Sequence, residues 1–135
     1  MNSTYWLNTI MDTMYTNNAG EFYVGLSSTL PNKDGSGVSE PSGGNYSRAK
    51  VSGFTAPSNG KVSNSGTLKF PCSTGAWFDS TAKAAYWVLF DGSGSNAHVL
   101  SGGNLSEAKS IEDNVSITIA ANELSISLAD LCFET

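Results

Sequence analysis

His98 is the single histidine of this 135-residue chain, and with Asp91 and the many surrounding serines it marks the one place where a Ser-His-Asp relay could be drawn. That chemistry needs a serine presented on a sharp turn, and no G-x-S-x-G elbow or comparable nucleophile context is present. A half-exposed strand histidine is the reading these residues support. Glu107, Glu112 and Asp113 are carboxylates that could act as acid and base on a glycosidic bond, but their crowding in a polar connection fits a solvated charged loop. Asp91, Ser93 and Ser95 have the alternating spacing that begins a calcium loop. Asn96 then stands where the turn glycine belongs, and Gly102 where the bidentate acid belongs. Asp34-Gly35 and Asp91-Gly92 are more simply turns, and Gly43-Gly44 lacks the following helix and the Lys-Ser/Thr of a phosphate cradle. The two cysteines, Cys72 and Cys132, belong to no C-x-x-C or Cys/His pattern and read as buried free thiols. A disulfide is the other possibility, open to a chain that leaves the reducing cytosol. The sequence thus assigns no catalytic residue, no metal site and no cofactor, and the expectation is a protein that is not an enzyme.

Binding is the serious competitor to a purely structural role. Trp77 and Phe78 follow Thr74-Gly75 in a turn-like setting, where exposed rings could stack on a sugar or on another protein. The competing reading has Trp77 closing one end of a core. A formal net charge of −5 with only seven Lys and Arg leaves no basic stripe to follow phosphates, so nucleic acid is not an expected partner. No apolar run approaches the roughly 20 residues needed to cross a bilayer. Met1 to Tyr15 also lacks the basic region and cleavage site of a signal peptide, so no membrane role and synthesis in the cytosol are expected.

The elements that would position these residues are one helix and many short strands. A helix is predicted from about Thr4 to Tyr15, capped by Ser3 or Asn2 and released by left-handed Asn17, Asn18 and Gly20. Leu7, Ile10, Met11 and Met14 share one face, which must lie on an apolar surface, either the rest of the fold or a neighbouring subunit; they are the candidate interface. Strands are expected at Glu21 to Ser27, Tyr46 to Val51, Thr67 to Phe70, Ala84 to Phe90, Ala97 to Leu100, Val115 to Ile119 and Leu124 to Leu128, the last two pairing as a hairpin across Ala120 to Glu123. Ala84 to Phe90 is apolar on both faces and should be covered on both. Charged residues are only 14% of the chain, and Gly, Ser, Thr and Asn fill the connections. The fold class that follows is all-β: an antiparallel β-sandwich, jelly-roll or immunoglobulin-like, with one short N-terminal α-helix. Residues 1–135 are expected to form a single domain, with the helix of 1–17 packed on a sandwich of 21–135.

The wording of the loops is more specific than their composition. Tyr23 to Ser27 (YVGLS), the Pro31 to Gly44 loop with its Asp-Gly, Glu40 to Gly44 (EPSGG) and Tyr46-x-Arg48 occur in the order seen in small tailed-bacteriophage structural proteins labelled tail-fibre proteins, which the chain resembles. Trp6-Leu7, Thr67 to Pro71, Ser73 to Trp77 (STGAW), Trp87 to Gly92 (WVLFDG) and Leu124 to Leu128 (LSISL) extend the resemblance over most of the chain, while Ala82 to Tyr86 and Ser106 to Asn114 depart from it. The resemblance implies a structural component of a virion, made in the host cytoplasm and working through subunit contacts with other virion proteins, major capsid or tail proteins among them. By analogy with fibre-like proteins it implies a homo-oligomer, a trimer. With no heptads and no repeats a long shaft is not expected, so a capsid decoration or cement protein, a head-fibre base or a small tail component fits better. The alternative is a carbohydrate-binding or host-receptor-binding module of a tail fibre.

Overall fold

The computed structural model of the chain describes residues 3–78 and 82–127. It is mostly antiparallel strand with one short N-terminal helix, the class expected from the sequence and in keeping with a sandwich-like all-β fold. In chain order the elements are α1 (Thr4–Met11), a π-helical turn (Asp12–Thr16), β1 (Tyr23–Ser27), β2 (Ala49–Lys50), β3 (Lys61–Ser63), β4 (Leu68–Lys69), β5 (Ala84–Phe90), β6 (Val99–Lys109), β7 (Thr118–Ile119) and β8 (Ser125–Ser127). Strands order as β2-β1-β5-β6 in a four-stranded sheet, with β3-β8 and β4-β7 as two-stranded pairs. Two compact units emerge. The first takes the described parts of Met1–Gly20, Val51–Leu68 and Ile119–Thr135, the second those of Glu21–Lys50 and Lys69–Thr118.

In the first unit, the Ser3 hydroxyl accepts the Trp6 N–H at 3.1 Å and so caps α1 as expected; Asn2 lies outside the described residues. Past Met11 the helix widens, closed by the Asn17 N–H on the Asp12 carbonyl at 2.8 Å. This turn corrects the expected apolar face. Tyr15 becomes the buried residue, its ring 5.2 Å from that of Phe54, and Met14 is turned out to 41% exposure. Nor do Asn17, Asn18 and Gly20 adopt left-handed backbone. Their place is taken by side-chain amides: Asn18 Nδ2 bonds the Met14 carbonyl, one of the groups that the end of a helix leaves open, and Asn17 Nδ2 bonds the Asp12 carboxylate.

The helix leans on the turn that precedes β3. Asn8 Oδ1 accepts the Gly60 N–H at 2.7 Å, and Gly60 packs so close that a Cβ there would lie 3.2 Å from Leu7 Cβ. Strand β3, too short and polar to be foreseen, pairs with β8 from Lys61↔Ser127 to Ser63↔Ser125. Asn64, fully buried, fixes the pair's end: Nδ2 donates to the Gly66 and Ala120 carbonyls, and Oδ1 accepts the Leu124 N–H at 2.9 Å. The expected hairpin across Ala120 to Glu123 is therefore corrected. A turn does form, with Glu123 N–H on the Ala120 carbonyl, but its arms go to different partners, β7 to β4 and β8 to β3. Asn64 makes the difference, because its amide fills the bonds that would have zipped the arms together.

The second unit is built on the sheet in which β5 is central, antiparallel to β1 and to β6. Trp87, Val88, Leu89 and Phe90 are all buried, so this strand is covered on both faces, as its unbroken apolar run suggests. Strand β6 runs far past the expected end at Leu100 because Gly102 and Gly103 do not stop it. Gly103 lies opposite Trp87 and makes room for the indole, where a Cβ would sit 2.8 Å from the ring. Toward its end β6 bulges, with Ala84 opposite Lys109 but Tyr86 opposite Asn104.

Candidate functional site

The residues that make the loop wording distinctive converge on one face of β1. Gly25, the centre of YVGLS, is opposite Val88, and a Cβ there would stand 2.6 Å from Glu40 Oε2, 2.8 Å from the Tyr46 hydroxyl and 3.1 Å from the Phe90 ring. That close approach is why the position is glycine. Glu40 opens EPSGG, and three successive residues with positive φ, Gly43, Gly44 and Asn45, reverse the chain behind it. The reversal returns Tyr46 and Arg48 to the Glu40 carboxylate. Tyr46 donates to Glu40 Oε2 at 2.5 Å, Arg48 Nε to the same oxygen at 3.0 Å, and Arg48 Nη2 to Oε1 at 2.7 Å. This is the two-pronged guanidinium–carboxylate geometry that only arginine supplies.

Most of the remaining bonding capacity of the cluster is used within the fold. Arg48 Nη1 donates to the Gly92 and Gly94 carbonyls at 3.1 and 2.9 Å, holding the β5–β6 loop, and the guanidinium carbon lies 3.5 Å from the centre of the Phe90 ring. The Tyr46 oxygen accepts the Leu26 N–H at 3.1 Å, on a stretch of β1 that the two-residue β2 does not reach. Burial, and after it the bond to the Glu40 carboxylate, pushes the Tyr46 phenol far above its ordinary range, so it is neutral and a donor at physiological pH. The cluster ties loop 28–48 and loop 91–97 to the sheet, and its charged groups are turned on one another. It is a clamp.

A second lock adjoins it. Trp77 is 3% exposed; its Nε1 donates to the Gly44 carbonyl at 2.7 Å and its ring meets Tyr46 edge-on at 5.1 Å, with Phe70 completing the cluster. Gly44 has φ +58 and touches the indole so closely that a Cβ would lie 2.8 Å from Cδ1. Trp77 is therefore placed as a core residue rather than as an exposed stacking ring, while Phe78 is half-buried. Ser73, also buried, holds this segment to residues 112–115: its hydroxyl donates to the Glu112 carbonyl and accepts the Val115 N–H.

The other chemistry-bearing residues are scattered. Asp91 and His98 do meet, Oδ2 to Nδ1 at 2.9 Å, but on the surface, with the His98 side chain 82% exposed. Asp91 also accepts the His98 backbone N–H; that bond, followed by the one from the ring, holds its carboxyl below the usual range, and the pair closes the β5–β6 loop. Glu107, Glu112 and Asp113 are exposed, and among the described residues no group of three or more potential metal ligands assembles. Asp34 bonds the Ser36 N–H and hydroxyl within its own turn, the role expected of an Asp-Gly turn. Cys72 is a free thiol and exposed, which corrects the expectation of burial: Phe70 and Ser73 take the inward positions around it; Cys132 and Leu128 lie outside the described residues.

Of the candidate interface, Met11 is buried within the first unit, Leu7 abuts Gly60, Ile10 is half-buried and Met14 faces out. Two aromatics join Met14 at the surface that pattern reading had passed over, Tyr5 at 78% and Trp6 at 52% exposure. The pairing of Glu40 with Arg48 was likewise unforeseen; the glycine run between them, followed by Tyr-x-Arg, was the signal. Among the described residues no helix is long and apolar enough to cross a membrane.

A family model described as podophage GP4 fiber I protein gp80 matches residues 1–127, and the chain belongs to that family, a phage fibre-type family of virion structural proteins. No curated protein matches the chain.

Proposed function

We propose that this member of the podophage fibre family is a non-enzymatic structural component of the virion, a short accessory piece of the capsid-cement, head-fibre or small tail-fibre type, acting through contacts with its neighbours. The observation that carries the reading is what the characteristic residues do: Gly25, Glu40, Gly44, Tyr46, Arg48 and Trp77 hold loops by bonding and packing on one another. A surface open to association is that of α1 and the π-helical turn after it, where Tyr5, Trp6 and Met14 stand in water. A surface tryptophan beside other apolar groups is typical of association sites. Contact with other virion proteins through this helix face, in a homo-oligomer, completes the proposal.

The test is placement and stoichiometry on purified particles. Quantitative mass spectrometry should find the chain in the virion, and hundreds of copies, with immunogold on the head, would establish decoration, whereas a handful of copies on the tail would establish a fibre component. Trp6→Ala should leave the isolated chain folded and reduce its incorporation. Normal incorporation, or a purified chain that cleaves or binds host glycan through Trp77 or Phe78, would overturn the reading.

A further inference from the structure

We propose that the groove between β2 and β4 in the second unit receives an extended acidic polypeptide segment as an added β-strand. The groove has a volume of about 510 Å³, with Ser47 to Lys50 as one wall, Lys69 to Cys72 as the other and Ser116 beside the second. The walls converge at one end, where Asn45 Nδ2 donates to the Cys72 carbonyl at 3.1 Å and the Thr74 N–H to the Gly44 carbonyl at 3.0 Å. Beyond that point they part, and among the described residues β2 pairs only with β1 and β4 only with β7. Pro71 helps keep them apart, since it has no N–H to offer a ladder.

Backbone accounting shows what the groove lacks. The Phe70 N–H is used on the Ile117 carbonyl at 3.0 Å, so the alternation of a strand turns the Lys69 N–H and carbonyl the other way, into the groove. The outer edge of β2 faces it from the opposite wall. Two edges that are unpaired among the described residues, facing across an open slot, are what strand addition uses.

Charge selects the occupant. Arg48, Lys50 and Lys69, three of the chain's seven Lys and Arg, line the groove, and no carboxylate does, in a chain of net charge −5. Arg48 is taken by Glu40. Lys50 holds Glu21 at 3.0 Å in a pair open to water on both sides, which a partner carboxylate can replace, and Lys69 has no ion-pair partner among the described residues. An acidic glycan would share the charge preference, but the groove offers it no exposed ring for stacking, because Phe70 is buried.

The probe is a fluorescein-labelled octapeptide of alternating Glu and Val, titrated into the purified chain and followed by anisotropy, with a polygalacturonate oligosaccharide in parallel. Saturable peptide binding is expected, weakened about tenfold or more by Lys69→Glu and also by Lys69→Met, and unchanged by Lys83→Glu, which lies outside the groove. Circular dichroism verifies that each variant is folded. On binding, amide exchange should slow at Lys69 and at one of Ala49 and Lys50. Absence of binding, binding without that protection, equal loss in Lys83→Glu, or capture of polygalacturonate in place of the peptide would each overturn the proposal.

Discussion

Replacing Arg48 by Ala should be among the most damaging single changes in the second unit. The side chain makes four hydrogen bonds and stands over Phe90, and its loss strands the Glu40 carboxylate beneath the loop. Removing one partner of a buried ion pair costs about 3–5 kcal/mol, most of it the penalty of an unmatched buried charge. The Arg48 and Glu40 side chains retain 11% and 19% exposure, so water relieves part of that penalty and the lower end, about 3 kcal/mol, is expected. Lysine keeps the charge but not the fork, so Arg48→Lys should lose about half as much. Urea unfolding gives the readout: the midpoint should fall at constant slope. Adding Glu40→Gln to Arg48→Ala should recover at least about 1 kcal/mol relative to the sum of the single changes, because the stranded charge is gone. Additive losses, or a loss below about 1 kcal/mol for Arg48→Ala, would refute the clamp as a coupled, desolvated unit.

Trp77→Phe removes one buried hydrogen bond to Gly44 and part of a ring, for a loss of about 1–3 kcal/mol in thermal or urea unfolding, while adsorption of particles to host cells stays unchanged. On α1, Met11→Ala should cost about 2–5 kcal/mol whereas Met14→Ala should stay within about 0.5 kcal/mol, a contrast that denaturant titration reads directly and that a regular α-helix through residue 15 would erase. Alkaline stability follows from Tyr46. Its folded-state pKa lies above the unfolded value near 10, so above about pH 10 the unfolded chain releases a proton that the folded chain keeps, and stability falls by about 1.4 kcal/mol per pH unit for this one group. Tyr15, raised by burial, acts in the same direction, and Tyr46→Phe should flatten the slope in unfolding measurements across pH 9 to 12.

How much of this was legible beforehand depends on whether the cause was local. Strand β5 was readable to the residue, because seven consecutive apolar side chains with β-formers allow little else in a small fold. The Ser3 cap and the start of α1 were equally local. Strand β3 was not readable, since three residues with a lysine and a serine carry no periodic signal and their partner lies some sixty residues away. The far end of β6 was hidden for a related reason: Gly102-Gly103 reads as a break, and only the position of Trp87 on the neighbouring strand turns it into an accommodation.

The clamp shows the same division from the side of function. Glu40, Tyr46 and Arg48 stood in the sequence as recognisable wording, yet nothing in their spacing says that a carboxylate eight residues before an arginine will close on it. That closure needs Gly43, Gly44 and Asn45 in left-handed backbone and Gly25 without a side chain, conditions that exist only once β1 is in place. The wording is thus best understood as the record of a packing problem: a long polar loop must be held against a sheet by few contacts, and arginine, tyrosine and glutamate do so by satisfying one another. Under the role proposed for this fibre-family chain, loops held this way would matter, because a surface can serve as an interface only if the loops stay where the sheet puts them.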